Sequence, residues 1–178
     1  SSLFHCSDRK GKHPREHGTH TESVIMTTTK KISVVVPVYK SQECVQALVE
    51  RVAECFRATD YELVLVNDGS PDKSWSEIKK AARSDQRVIG MSLRKNSGQD
   101  NALMAGLSAV TGDYVVIMDD DLQHDPADIE KMVQELERGN HEVCFANFGT
   151  KKEKLWKRIG SWLNGRMAEI IIRKPRHI

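Results

Sequence analysis

The chain of 178 residues has the size and balance of one globular domain, with 29% charged and 39% hydrophobic residues. No apolar run approaches the roughly 20 residues that span a bilayer, no secretory signal pattern occurs, and the four cysteines form no CxxC pair. We therefore expect a soluble chain with reduced thiols that stays inside the cell.

The charge is unevenly distributed along the chain. The net charge is +2, but residues 151–178 contain nine Lys or Arg and two Glu, a net of +7, which leaves −5 for residues 1–150. A basic tail on an acidic body indicates either a phosphate-bearing or anionic partner or a solvated helix face.

The predicted elements start after a polar, His-rich segment, residues 1–26, for which we expect disorder. In chain order they are strand KISVVVPV, helix SQECVQALVERVAECF with Ser41 as N-cap, strand YELVLVND, helix SPDKSWSEIKKAAR, strand RVIGMSL, helix GQDNALMAGLSAV, strand DYVVIMD, helix DPADIEKMVQELERG, strand HEVCFANF and an amphipathic helix from Lys151. This alternation, with strands apolar on both faces, predicts an α/β fold: a Rossmann-like, open, mostly parallel sheet with helices on both faces.

Ligands of such sheets bind at the carboxyl ends of the strands. Four loops at that edge are rich in polar residues: PVYKSQE, NDGSPD, RKNSGQ and DDDLQHD. Turn chemistry alone explains one or two such loops, whereas four together favour a binding site. The dinucleotide fingerprint GxGxxG and the P-loop GxxxxGK[ST] are both absent.

Three consecutive carboxylates, Asp119, Asp120 and Asp121, directly follow an apolar strand. Residues i and i+2 of an extended chain project to the same side, so Asp119 and Asp121 can face one cation while Asp120 points elsewhere. Mg²⁺ and Mn²⁺ prefer oxygen ligands and commonly complete their shell with water and substrate phosphates. The triplet therefore predicts a site for a metal–diphosphate complex.

The stretches VVVPVYKSQE, LVNDGSPD and NSGQDNALMAGLSAVTGDYVVIMDDDLQHDP, in this order and spacing, resemble the inverting family 2 glycosyltransferases of GT-A fold. Within that family they are most similar to the branch of dolichyl-phosphate mannose synthase and the bacterial undecaprenyl-phosphate sugar transferases. The resemblance covers Ile32 to Pro175 and implies an enzyme that transfers a sugar from a nucleoside-diphosphate sugar to a polyprenyl phosphate with Mg²⁺ or Mn²⁺. The Asn67–Asp68 pair, which stands where the family commonly has two Asp, and the motif spacing favour UDP over GDP.

The resemblance also implies roles for individual residues. Asp119 and Asp121 would bind the metal, Gln123 would approach the donor sugar, and these three would form the catalytic group. Asp120 replaces a residue that is often small in the family. The residues expected to contact the nucleotide are Pro37, Tyr39, Glu43, Asn67, Asp68, Lys95, Gly98, Gln99 and Asp119.

The resemblance divides the chain into the leader 1–26, a nucleotide-sugar-binding GT-A domain 27–150, and a basic amphipathic helix in 151–178 that starts an acceptor and membrane-proximal region. Arg158 and Trp162 are the candidates for acceptor or membrane contact, and a core-packing helix with a basic solvent face is the alternative. Relatives continue further, so we expect a fragment, an incomplete catalyst located in the cytoplasm at the inner face of the membrane.

Two other functions remain open. A family 2 transferase that acts on a saccharide hydroxyl in cell-envelope polysaccharide synthesis would share the nucleotide half but would need a carboxylate base. A non-catalytic module that only binds nucleotide sugars is the second alternative. We expect no nucleic-acid partner.

Overall fold

The computed structural model of the chain describes residues 3–7, 30–120, 127–139, 141–147 and 170–173. Within these ranges the chain forms seven strands and four helices. The strands are β1 (Leu3–Ser7), β2 (Ile32–Val38), β3 (Tyr61–Asn67), β4 (Val88–Ser92), β5 (Tyr114–Ile117), β6 (Val143–Asn147) and β7 (Ile170–Arg173), and the helices are α1 (Val45–Cys55), α2 (Ser74–Ser84), α3 (Gln99–Leu107) and α4 (Ala127–Gly139).

All seven strands belong to one sheet in the order β1-β6-β7-β5-β2-β3-β4. The neighbours β4, β3, β2 and β5 pair in parallel. Strand β7 is antiparallel to both β5 and β6, and β1 is antiparallel to β6. Strands β2 to β6 therefore run in one direction and only β1 and β7 oppose them, which confirms the prediction of a mostly parallel sheet.

Helices cover both faces of the sheet, as predicted. On one face, α1, α2 and α4 pack against alternate strand residues such as Val34 and Val36. On the other face, α3 packs against the residues between them, such as Val35 and Val64. Because both faces are covered, every residue of β2 and β3 is buried. In the part of the chain that the structure describes, no helix combines the length and apolarity that a bilayer crossing requires.

Two strands differ from the sequence predictions. Leu3–Ser7 form the edge strand β1, so the prediction of disorder is wrong for these five residues. Ile170–Arg173 form β7 inside the sheet, so the predicted last helix is wrong for these four residues. The remainder of 1–26, and 151–169 of that helix, lie outside the described residues.

The start of α1 also differs from its prediction. The helix begins at Val45 after the cap residue Cys44, and no side chain caps it. Ser41 is therefore not the N-cap. Its hydroxyl instead donates a hydrogen bond to the Asp120 carboxylate and also lies 3.2 Å from the Tyr39 carbonyl oxygen.

Candidate nucleotide-sugar site

A cleft of about 480 Å³ opens at the carboxyl edge of the parallel strands. Its volume is in the range of small-molecule sites. Six residues predicted to contact a nucleotide line it: Pro37, Tyr39, Asp68, Gly98, Gln99 and Asp119. Val38, which lies in the turn predicted to line the nucleotide pocket, lines it as well. Asn96 and Asp120 also line it, although the sequence did not assign them to the nucleotide.

The Asp68 carboxylate organises the loop that leads into α3. It is buried and accepts hydrogen bonds from the Ser97 amide at 2.7 Å and the Gly98 amide at 2.9 Å. The next residue, Gly69, has φ +60°, and a Cβ there would lie 2.4 Å from the Lys95 carbonyl carbon. The β3–α2 and β4–α3 loops therefore touch through their backbones, and only glycine fits at the contact.

Three other residues predicted to contact the nucleotide lie outside the cleft lining. Asn67 is buried; its amide donates to Ser92 Oγ at 2.9 Å, and its oxygen accepts from the Ser70 amide at 3.2 Å. Lys95 lines a neighbouring depression, and Glu43 is exposed in the turn before α1. Asn67 thus joins the ends of β3 and β4, while the nucleotide contact of all three stays a prediction.

The aspartates after β5 face different partners. Asp119 Oδ1 accepts a hydrogen bond of 2.9 Å from the Gln99 side-chain amide, at the first residue of α3. Asp120 Oδ2 accepts one from the Tyr39 amide at 3.3 Å and one from the Ser41 hydroxyl. The Asp120 carboxylate therefore faces the β2–α1 connection.

Four predicted functional residues lie outside the described residues: Asp121, Gln123, Arg158 and Trp162. Their roles therefore stay predictions. Over the described ranges, no group of three or more His, Cys, Asp or Glu is arranged to hold a metal ion.

The cleft is acidic. Asp68, Asp119 and Asp120 line it, and no Lys or Arg is among the described lining residues. Asp68 accepts hydrogen bonds from two backbone amides, and Asp119 accepts one from the Gln99 side-chain amide. Asp119 presents hard carboxylate oxygen, which is the ligand type that Mg²⁺ and Mn²⁺ take.

Solved structures share this fold. A mannosyltransferase from Pyrobaculum calidifontis in complex with GDP-Man and Mn²⁺ matches with a TM-score of 0.58 and 22% identity, over 66% of this chain and 35% of that chain. S. aureus TarS in complex with UDP matches with a TM-score of 0.55 and 25% identity, over 64% of this chain and 34% of that chain. The fold shared with these structures confirms the predicted GT-A fold class.

Residues 33–177 match the family described as glycosyl transferase family 2, and the chain belongs to that family. An undecaprenyl-phosphate 4-deoxy-4-formamido-L-arabinose transferase of Photorhabdus laumondii is 38% identical over 135 residues, which are 74% of this chain. The chain spans 41% of the length of that relative. The predicted similarity to family 2 undecaprenyl-phosphate sugar transferases is confirmed.

Proposed function

We propose that the chain is an inverting glycosyltransferase that transfers a sugar from a nucleoside-diphosphate sugar to a polyprenyl phosphate. The observation that carries the proposal is the acidic cleft at the carboxyl edge of the sheet, where Asp119 follows Met118 just beyond the buried strand β5. The matched relative of Photorhabdus laumondii acts on undecaprenyl phosphate by its name, which supports a polyprenyl phosphate acceptor.

A divalent cation is proposed to bind in this cleft. A diphosphate next to Asp119 and Asp120 would be repelled unless a cation lay between them. Asp119 and Asp121 would hold Mg²⁺ or Mn²⁺, and the ion would stabilise the diphosphate leaving group. The Gln99 amide, which donates to Asp119 Oδ1, would orient the other carboxylate oxygen toward the ion.

The chain's own residues would divide the remaining tasks. Pro37 and Tyr39, which line the cleft, would contact the base and ribose, and Asp68 fixes the backbone of Ser97 and Gly98 at the same cleft. Helix α3 begins at the cleft, so the partial positive charge at its amino end favours phosphate there. Gln123 is proposed to approach the donor sugar.

A phosphate acceptor is already anionic near neutral pH, so the reaction needs no strong general base. The acceptor would approach from a membrane, and Arg158 and Trp162 are the proposed contacts with it. The proposed location is the cytoplasmic face of that membrane. UDP is the proposed donor nucleotide, and the likeness to TarS, which was solved with UDP, supports it.

A transfer assay tests the acceptor class. The protein is incubated with radiolabelled UDP-sugars or GDP-sugars, Mn²⁺, and either undecaprenyl phosphate or undecaprenol in detergent micelles. We expect label in the lipid fraction only with the phosphate, and none with EDTA. Label in an added saccharide would instead favour the transferase that acts on a hydroxyl, and nucleotide binding without any product would favour a binding module.

A further inference from the structure

The β2–α1 loop, residues 39–44, is held by side chains from other loops. Three consecutive backbone amides each donate to a side-chain oxygen: Tyr39 to Asp120 Oδ2 at 3.3 Å, Lys40 to Ser70 Oγ at 3.2 Å, and Ser41 to Ser74 Oγ at 3.0 Å. Asp120 lies after β5, Ser70 lies after β3, and Ser74 is the first residue of α2. The loop conformation therefore depends on contacts that are distant in sequence.

The loop needs such support because its backbone is strained. Lys40 has φ +57°, the left-handed region that a residue with a long side chain rarely adopts. A strained residue persists only where its surroundings determine it. The donors on either side of Lys40, at Tyr39 and Ser41, both reach Asp120.

Asp120 differs from the other two acceptors in charge and in number of bonds. It is the only ionised acceptor of the three, and it receives the Tyr39 amide and the Ser41 hydroxyl on the same oxygen. Hydrogen bonds to an ionised acceptor are stronger than bonds between neutral groups. Loss of this carboxylate therefore removes more support from the loop than loss of either serine hydroxyl.

We infer that Asp120 is a positioning residue that fastens the β2–α1 loop to the end of β5. Tyr39 and Asp119 line the same cleft, and Asp120 is adjacent to Asp119 in sequence and bonded to Tyr39. Asp120 thereby sets the distance across the cleft between Tyr39 and Asp119, the proposed metal ligand. The nucleotide part of this inference rests on the proposed function, whereas the contact between loop and strand does not.

Two measurements on Asp120→Ala, Ser41→Ala, Ser41→Thr and the double alanine variant test the inference. The first is amide hydrogen exchange at Tyr39 and Lys40 without ligand. The second is titration of UDP and GDP in the presence of Mn²⁺. Asp60→Ala is the matched control, because Asp60 is exposed at the opposite edge of the sheet, just before β3.

Asp120→Ala should speed exchange at the Tyr39 amide and weaken nucleotide binding about tenfold, as expected for two lost hydrogen bonds. Ser41→Ala should reproduce part of both effects. Ser41→Thr should exchange and bind nucleotide like the unaltered protein, because it keeps the hydroxyl. The double variant should bind no more weakly than Asp120→Ala, since the two side chains act through one contact. Asp60→Ala should change neither measurement.

Unchanged exchange at Tyr39 in Asp120→Ala would overturn the inference. A second result would also overturn it: Ser41→Ala leaves nucleotide affinity unaltered, while Asp120→Ala needs more Mn²⁺ to bind nucleotide. Asp120 would then be a metal ligand. If the unaltered protein binds neither nucleotide, the proposed function fails. Faster exchange at Tyr39 in Asp120→Ala would still support the contact in that case.

Discussion

At the amino ends of β2 and β3, opposite the cleft, Glu62 is a buried carboxylate with four close donors. Ser33 Oγ and the Thr111 amide each donate at 2.6 Å, and Thr111 Oγ1 and Lys31 Nζ each lie at 2.7 Å. Burial alone would raise the pKa of Glu62, but the bonds from Lys31, Ser33 and Thr111 outweigh it and lower that pKa to about 2.

The lowered pKa makes stability depend on pH in a defined window. Because the folded pKa lies below the ordinary value of 4.5, the stabilisation by Glu62 is complete above about pH 4.5 and is lost as the pH falls toward 2. Glu62→Gln should lower the free energy of unfolding at pH 7 by about 2 to 3 kcal/mol. It should also flatten the acid dependence, as measured by urea unfolding across that range.

Glu54→Gln is the control for this prediction, because Glu54 is exposed on α1 and makes a long ion pair of 3.8 Å with Arg57. It should change stability by less than about 0.5 kcal/mol. If Glu62→Gln kept the acid dependence of the unaltered protein, the network around Glu62 would not stabilise the fold as described.

Individual contacts were the least predictable part of the site. The sequence indicated which loops meet at the cleft, because parallel strands end at one edge. It did not indicate that Gln99 bonds Asp119 or that Ser41 bonds Asp120. These pairs depend on loop backbones such as Lys40 at φ +57°, and a lysine carries no local signal for that conformation.

Helix α3 lies close to its face of the sheet at Gly106. A Cβ at this position would lie 2.4 Å from Val35 Cγ1 and 3.0 Å from Val66 Cγ2. Glycine in a helix normally costs about 1 kcal/mol relative to alanine. Here the close approach of α3 to the sheet leaves little room for the alanine side chain and opposes the helix preference for alanine over glycine.

Gly106→Ala should therefore destabilise the protein, by about 1 kcal/mol net, because overpacking of 1 to 3 kcal/mol exceeds the gain in helix propensity. The measurement is urea unfolding followed by circular dichroism. Met104→Ala, in the same helix and 64% exposed, should stay within about 0.5 kcal/mol of the unaltered protein. A stabilising Gly106→Ala would show that α3 does not pack this closely.

Elements with a strong local pattern were predicted from the sequence, and the two antiparallel strands were not. Strands β2 and β3 are apolar over their whole length because both faces are covered. Ile170–Arg173 continue the spacing of an apolar helical stripe, so their strand conformation follows from pairing with β5 and β6. Leu3–Ser7 lie in a polar segment and pair with residues more than 130 positions away.

In the whole molecule, β7 pairs with the side of β5 that β2 leaves uncovered, so β5 is an interior strand of the sheet. Strand β5 pairs with β2 on one side and with β7 on the other. Asp119 lies just beyond this doubly paired strand, after Met118, and its carboxylate also accepts a hydrogen bond from Gln99 of α3. A rigid support of this kind is what a metal-ligating carboxylate requires.

The cleft is proposed to bind a nucleoside diphosphate through a divalent cation. The most direct test is calorimetric titration of UDP and of GDP, with Mn²⁺ and with EDTA, into the unaltered chain, Asp119→Asn and the control Asp60→Asn. We predict that one nucleotide binds with Mn²⁺ and not with EDTA, at least about tenfold more weakly in Asp119→Asn and unchanged in Asp60→Asn. Equal affinity with and without metal, or no binding of either nucleotide by the folded chain, would contradict the claim.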